Sequence, residues 1–447
     1  MAEISIIMPL YNAQRYLCEC LDSIFAQTFQ DFELICVDDC STDGTMNIIQ
    51  NYSRTEHRMK IFSNKEHKGA AYSRNKGMKE ACGRYLVFLD GDDVFDSDLL
   101  ALSYHKAVES GADIVVYRSV CVSSDRIHQM RLSNLPQGFV RRYCEQTFMI
   151  SELSPHEYLL FTSTPWDKIY KREFIAKERL EFQNLQSCND CYFVNMALLL
   201  AKKITFLDTD KPLVYARMHD TPSRISYRRE PMCAYWAEEK IWDELILRGK
   251  AGILFRHYFT RMYFHFCMVV RNTKDLMQAK AFYKFLQEDG ISRLQDMDRE
   301  SYANLDVYIK EALRKFISES YETGWFDAED KVQICMYCSA DKIQNMFKKW
   351  KTEGKRIGIW GIEKNAHFFL NLCNRYNLEV DEVMDRDAEK QGQKILNFPV
   401  ICSPQTGYSR VQIILFTKGN VMEEAKKIID NRVDIELINL ISYLDIY

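Results

Sequence analysis

No apolar run of about 18 residues occurs in the chain, so no segment has the continuity of a membrane-spanning helix. The start lacks a cationic n-region followed by an apolar h-region, which argues against a secretory leader. No internal repeat or low-complexity run is apparent. Charge of one sign is scarce too: 59 Lys and Arg against 63 Asp and Glu leave −4, which gives no global case for nucleic acid. Cysteine, by contrast, is plentiful. There are 15, an odd number, scattered along the chain, a usage that suits a reducing cytosol better than a disulfide scaffold. At 447 residues the length suggests about three domains, and 47% apolar residues supply several cores.

The most informative stretch is Tyr85 to Asp96. An apolar run, Tyr85 to Leu89, ends in Asp90, Asp92 and Asp93 around Gly91. This reads as a buried strand closed by a Gly/Asp turn. Ligands of open α/β sheets sit outside the carboxyl ends of strands. Carboxylates crowded there repel unless a cation joins them, and Mg²⁺ or Mn²⁺ suits carboxylates and water, with substrate phosphates completing the shell. An acidic surface turn is the plainer alternative.

The N-terminal part repeats the pattern. Ile4 to Met8 is a strand closed by Pro9 and followed by Tyr11 and Asn12, and a helical pattern runs from about Ala13 to Gln27. Phe32 to Val37 is a strand ending in Asp38 and Asp39. Residues 45 to 52 read as helix. Ile61-Phe62, a Lys68-Gly69 turn and a helix from Ala70 to Ala81 lead into the Tyr85 strand. Such alternation predicts an α/β fold with a parallel sheet and right-handed crossovers. Three strands then end in polar clusters on one rim, where a nucleotide and its diphosphate would lie.

Four segments in this order, Ile-Ile-Met-Pro-Leu-Tyr-Asn (6–12), Val-Asp-Asp-Cys-Ser-Thr-Asp-Gly-Thr (37–45), Lys-Gly-Ala-Ala-Tyr-Ser-Arg-Asn-Lys-Gly (68–77) and Leu-Asp-Gly-Asp-Asp (89–93), resemble the family-2 glycosyltransferases of the GT-A fold. The resemblance covers about residues 3–226, and Cys40 departs from the usual Gly or Asn. It implies that Tyr11 packs on the uracil base or shapes its pocket, that Asp39 accepts a hydrogen bond from the base, and that Arg74 lines the nucleotide pocket. Asp90 would face the ribose or diphosphate, and Asp92 matches the last Asp of the metal-binding Asp-x-Asp. Pro9, Asn12, Lys68, Gly69 and Gly91 lie in the same motifs and are further donor-binding candidates. Tyr11 as edge packing, and Asp38 and Asp39 as helix caps, are the structural alternatives. Asp93 reads as a capping or orienting residue.

Further on, Pro165 to Arg172 resembles the family's Trp-Asn-Lys-Leu-Tyr-Lys-Arg segment. Asn189-Asp190-Cys191-Tyr192-Phe193 resembles its Glu-Asp-x-x-Phe, with Asn189 in place of Glu. The resemblance gives Asp190 the role of base toward the acceptor hydroxyl, with Asp167 as the reserve. A buried carboxylate with a raised pKa suits that task, whereas a cap of the helix to Lys202 is the plainer reading. Pro212 to His219 and Ser223 to Ser226 resemble the family's closing segment. There Arg217 would grip the diphosphate bidentately, and His219 would complete the metal shell or be a hydrogen-bonded structural His.

Two Cys-x-x-Cys pairs, Cys188/Cys191 and Cys335/Cys338, lie too far apart for a zinc ribbon, and they read as buried or incidental thiols. From about 227 to 345 the pattern is helical. Between Arg248 and Lys284, eight Lys or Arg face one acid, Asp275, and six aromatics from Phe255 to Phe266 interleave with them. This suits either an anionic membrane surface and a polyprenyl-phosphate acceptor or a solvated basic face packed on the catalytic domain. Residues 348–354 look like a polar linker. The last hundred residues return to βαβ order, with Gly358-Ile359-Trp360-Gly361 and Asp385, and resemble small Rossmann-like domains. Docking or homo-oligomerisation is a plainer role for them than dinucleotide binding.

The expected organisation is therefore a catalytic domain at 1–226, a helical region at 227–350 and a Rossmann-like domain at 351–447. The expected activity is metal-dependent inverting transfer, by a hexosyl- or N-acetylhexosaminyltransferase. The sugar would pass from a nucleotide sugar, UDP-linked, to a hydroxyl of a glycan or lipid-linked glycan. The resemblance sets this in bacterial surface polysaccharide synthesis, such as capsule or lipopolysaccharide, in the cytoplasm or peripheral to the inner face of the membrane. A catalytically silent nucleotide- or carbohydrate-binding scaffold and a nucleotidyltransferase are the competing readings.

Overall fold

A computed structural model describes residues 2–123, 130–131, 137–218, 230–273, 275–291, 340–360, 369–370, 373, 378–385, 394–395, 398–402, 413–416 and 436–439. The chain divides into two units, Met1–Phe326 and Asp327–Tyr447.

The first unit opens with β1 (Ile4–Leu10), α1 (Leu17–Phe25), β2 (Phe32–Asp38), α2 (Thr45–Ser53), β3 (Met59–Ser63), α3 (Ala70–Glu80) and β4 (Tyr85–Phe88). Next come β5 (Val94–Phe95), α4 (Leu99–Ser110), β6 (Ile114–Val116), β7 (Ser119–Ser123), β8 (Met130–Arg131), α5 (Gln137–Tyr143) and α6 (Pro155–Tyr158). β9 (Lys168–Lys171), α7 (Arg172–Lys177), α8 (Cys191–Leu200), β10 (Ile204–Phe206) and β11 (Val214–Met218) follow. Three helices close the described part of the unit: α9 (Met232–Leu247), α10 (Ala251–Asn272) and α11 (Leu276–Phe285).

Seven strands form one sheet in the order β10-β6-β9-β4-β1-β2-β3. β1, β2, β3 and β4 are mutually parallel, and β9 runs antiparallel between β4 and β6. β1, β2 and β4 are buried almost throughout because both faces are covered. A smaller sheet, β5-β11-β7-β8, pairs Val214 with Phe95 and so brings Arg217 beside the acidic turn after β4.

An aromatic cluster supports the site from below. Phe182 stacks on Phe193 of α8 at 4.1 Å between centroids, and Phe88 of β4 meets Phe182 edge-on at 5.0 Å. Such pairs contribute roughly 0.5–1.5 kcal/mol beyond burial. They fix the start of α8 against the end of β4, a registry that the site needs.

The aromatics Phe255, Tyr258, Phe259, Tyr263, Phe264 and Phe266 of the basic helical segment are all buried. They face the protein interior, not a surface. Arg261 reaches the carbonyls of Tyr158 and Phe161, and Arg248 pairs with Glu178. The segment therefore packs on the first unit through both its aromatics and part of its charge. Among the described residues, no helix is long and apolar enough to cross a membrane.

The second unit contains α12 (Ala340–Thr352) and strands β12 (Ile357–Trp360), β13 (Glu382–Asp385), β14 (Lys394–Ile395), β15 (Phe398–Cys402), β16 (Ile413–Phe416) and β17 (Glu436–Asn439). Their order is β14-β15-β13-β12-β16-β17, parallel except for the β14–β15 pair. That is a Rossmann-like order with its reversal point at β12 and β16. The stretch read as a linker is the end of α12. Trp350 is buried there, and Lys351 pairs with Asp381 at 3.1 Å. The sequence alone shows only polar side chains on one face of this amphipathic helix. Gly361, Cys335 and Cys338 lie outside the described residues.

Candidate active site

The carboxyl ends of β1, β2 and β4 and the start of α8 converge on one rim. Each loop there is held by a recognisable device. Asn12 adopts a left-handed φ of 51°, and its side-chain Oδ1 accepts from the Thr42 amide at 2.8 Å. Cys40 is left-handed as well, with φ 66°. Asn and Gly adopt that conformation most readily, so the backbone accounts for what usually occupies position 40. Pro9 is the β1 residue paired with Val37.

Asp39 is buried and fully engaged. Its oxygens accept from the amides of Lys68 (2.9 Å) and Gly69 (2.7 Å), from Asn64 Nδ2 (2.7 Å), and face His67 Nδ1 at 2.8 Å. It thereby clamps the turn that starts α3. Gly69 has φ 90°, which glycine allows without strain, and the Lys68 ammonium pairs with Glu66. The His67 ring lies 4.0 Å from that of Tyr11, which is 48% exposed. This aromatic pair therefore presents ring surface to solvent beside the Asp39 turn. His67 escaped the sequence reading, although it directly precedes the Lys68-Gly69 turn.

Arg74 is the hub. It is buried in α3, with Phe182 packed under its guanidinium at 5.3 Å. It donates to Asp90 Oδ1 at 2.8 Å and to Asn189 Oδ1 at 3.2 Å. One cation thus ties the acidic turn after β4 to the loop before α8. Gly91 permits this turn. A Cβ there would come within 2.3 Å of Leu10 Cδ2, so any side chain would have to displace the buried Leu10.

The three acids divide by role. Asp90 faces Arg74. Asp93 is buried and accepts the Arg217 amide at 2.8 Å, the orienting task expected of it. Asp92 lies between them, and its backbone carbonyl accepts from Arg217 Nε at 3.1 Å. The Arg217 guanidinium also packs over Tyr16 at 4.5 Å and pairs with Glu19 at 2.7 Å. Glu19 and Tyr16 were not foreseen from sequence. His219 lies outside the described residues.

Asp190 is the N-cap residue of α8, yet its side chain makes no cap hydrogen bond. The carboxylate is therefore spared from the structural task that competed for it. Burial pushes its pKa up to about 6, against the pull of Arg74 and with a smaller push from Cys188 and Asp90. Asp167 differs. It is buried in an ion pair with the fully buried Lys168 and accepts from Thr162 Oγ1 at 2.5 Å. Asp167 is thus held by Lys168 and Thr162, whereas Asp190 makes no cap hydrogen bond.

Strand ends carrying acids over a parallel sheet are joined by one buried arginine to the loop of Asp190, an arrangement that suits the expected GT-A type fold. Comparison with known proteins agrees. Residues 5–175 match the family described as Glycosyl transferase family 2. The chain is 26% identical over 308 residues to the cholesterol galactosyltransferase of Borreliella burgdorferi, covering 66% of this chain and 85% of that protein. It is 28% identical over 220 residues to the poly(ribitol-phosphate) beta-N-acetylglucosaminyltransferase TarS of Staphylococcus aureus, covering 48% of this chain and 36% of TarS. The crystal structure of S. aureus TarS in complex with UDP-GlcNAc shares the fold, with TM-score 0.50 and 23% identity over 70% of this chain and 92% of that one. Residues 5–175 therefore resemble family 2 of the glycosyltransferases, and the chain shares the GT-A type fold.

Proposed function

We propose that this glycosyltransferase moves a hexose or N-acetylhexosamine from a UDP-sugar to an acceptor hydroxyl with inversion, and that Asp190 is its base. The observation that carries the reading is Asp190 itself: a carboxylate with a pKa near 6 beside Arg74, free of capping duty. A base with a pKa near the working pH is charged when needed and still basic enough to take a proton. The acceptor oxygen attacks the anomeric carbon as Asp190 receives its proton, and the UDP oxygen leaves.

The donor would lie across the rim. Tyr11 and His67 offer faces for the base, and the Asp39 clamp shapes the floor beneath them. Arg74 holds Asp90 toward the ribose or diphosphate. Arg217 can reach the diphosphate by exchanging Glu19 for a phosphate. Glu19 is 61% exposed, and pairs of that kind contribute only about 0–1 kcal/mol, so the exchange costs little. A hard divalent ion, Mn²⁺ or Mg²⁺, fits the same edge. Asp92 supplies one carboxylate, and donor phosphates, water and His219 would complete a shell of the type such ions prefer. When bound, the ion offsets charge on the leaving diphosphate.

Relatives are named for transfer of galactose, glucose or N-acetylglucosamine, to cholesterol in one case and poly(ribitol phosphate) in others. Those three UDP-sugars form the first donor panel, and the acceptor belongs with surface glycans or lipid-linked glycans. The test is product analysis across the panel with Mg²⁺ or Mn²⁺ present. Release of UDP that rises with acceptor supports the reading. Pyrophosphate would indicate nucleotidyl transfer, and tight donor binding without turnover a silent scaffold.

A further inference from the structure

We propose that Cys188, Cys191 and His265 form a zinc site behind the loop that carries Asp190, with Glu238 orienting the histidine. From sequence the two thiols read as buried or incidental, because the second Cys-x-x-Cys lies too far away for a zinc ribbon. The fold supplies a third ligand from α10. The two Sγ atoms and a ring nitrogen of His265 all lie within 4.8 Å of one another, the one such group of three His, Cys, Asp or Glu ligand atoms among the described residues.

The geometry suits zinc. Cys188 Sγ lies 3.7 Å from His265 Nε2. With Zn–S about 2.3 Å and Zn–N about 2.0–2.1 Å, a tetrahedral centre places sulfur and nitrogen ligands about 3.6 Å apart. The backbone prepares both thiols. The Cys191 amide donates to the Cys188 carbonyl at 3.1 Å, closing a tight turn in which Cys188 has a left-handed φ of 55°. Both sulfurs then face α10.

The histidine is oriented as metal-binding histidines are. Glu238 of α9 is buried, with 2% exposure, and its carboxylate lies 2.7 Å from His265 Nδ1. A hydrogen bond there puts the ring proton on Nδ1 and turns the Nε2 lone pair toward the sulfurs. A carboxylate–histidine pair behind a metal is the common outer shell of zinc sites. The buried Glu238 also gains a reason to be there, since a buried carboxylate is costly unless partnered. Two thiolates and an imidazole select a soft or borderline ion such as Zn²⁺ over Mg²⁺ or Mn²⁺. This site is therefore chemically separate from the donor edge at Asp92. Three protein ligands leave a fourth position for water.

The consequence is positional. Cys188 and Cys191 flank Asn189 and Asp190, so a metal here would pin the base-bearing loop to α10. The experiment uses the full chain, purified with reductant and without chelator, and measures metal content and the spectrum after Co²⁺ replacement. The expected result is about one zinc per chain and a thiolate-to-cobalt charge-transfer band with Co²⁺. Cys188→Ser, Cys191→Ser and His265→Gln should each lose the zinc, whereas Asp92→Asn and the double variant Cys335→Ser/Cys338→Ser should keep it. Glu238→Gln should weaken zinc affinity roughly 10- to 100-fold. Reduced wild-type chain that takes up neither zinc nor cobalt would overturn the proposal, and this measurement needs no variant to fold. Zinc that survives loss of Cys188, or that departs with Cys335 and Cys338, would overturn it equally.

Discussion

Replacing Asp190 with Asn should make the enzyme slower and the fold more stable, and the second effect depends on pH. The charged Asp190 side chain is held in a site that burial disfavours, so its pKa stands near 6 when folded. In the unfolded chain it returns to the usual carboxylate range. The folded state therefore binds the proton more tightly, and this contribution to stability is present below about pH 4 and lost as pH rises through 6. Above pH 6 the charged group costs at most about 3 kcal/mol, from the gap between about 3.9 and about 6 at 1.36 kcal/mol per pH unit. Asn has the same shape, carries no charge and is an equally good N-cap residue. It should recover most of that cost at pH 7.5 and none at pH 4. For a unit of this size 3 kcal/mol corresponds to a rise in Tm of roughly 4 °C. Transfer should fall about 10²–10⁴-fold, the usual loss for a general base, with donor affinity changed by no more than a few-fold. Thermal unfolding of both proteins at pH 4 and 7.5, with transfer rates at pH 7.5, tests all of this. Equal Tm values at pH 7.5 would refute the burial argument, and near-normal transfer would refute the base.

Asn189→Glu places a second carboxylate on Arg74, which now donates to a neutral amide at 3.2 Å. Less of the arginine's charge then reaches Asp190, so its pKa should rise and the acid limb of kcat/KM should move to higher pH. Gly91→Ala drives a methyl to 2.3 Å from Leu10 Cδ2, which should lower stability by about 1–3 kcal/mol and raise the KM for donor, both measurable in one preparation. Asp92→Asn should abolish turnover without lowering Tm, and EDTA should do the same until Mg²⁺ or Mn²⁺ is restored. Full activity in excess EDTA would remove the metal from the donor site.

The local half of this site was legible in the sequence. Strand ends at Asp39 and Asp90, the turn at Lys68-Gly69 and the loop at Asp190 all announce themselves by short-range patterns, because strand, turn and cap chemistry act over a few residues. What could not be read were partnerships across the chain. Arg74 meets Asn189 across 115 positions, and no local rule connects them. Cys188 meets His265 across 77 positions, brought together because α8 and α10 both pack on α9. The aromatics of α10 illustrate the opposite failure. Their alternation with arginines resembles a membrane-facing surface, but a long helix packed on three sides must also bury them, and only the tertiary contacts separate the two cases. Residues 348–354 misled for a related reason, since an amphipathic helix end shows the polar composition of a linker.

The measurement that bears most directly on the central claim is the anomeric configuration of the transferred sugar, read by proton NMR of the product made from an α-linked UDP-sugar with Mg²⁺. A base that deprotonates the acceptor for direct displacement requires inversion, so the expected product is β-linked. An α-linked product would mean that the acceptor does not attack directly, and Asp190 could not then hold the role assigned to it.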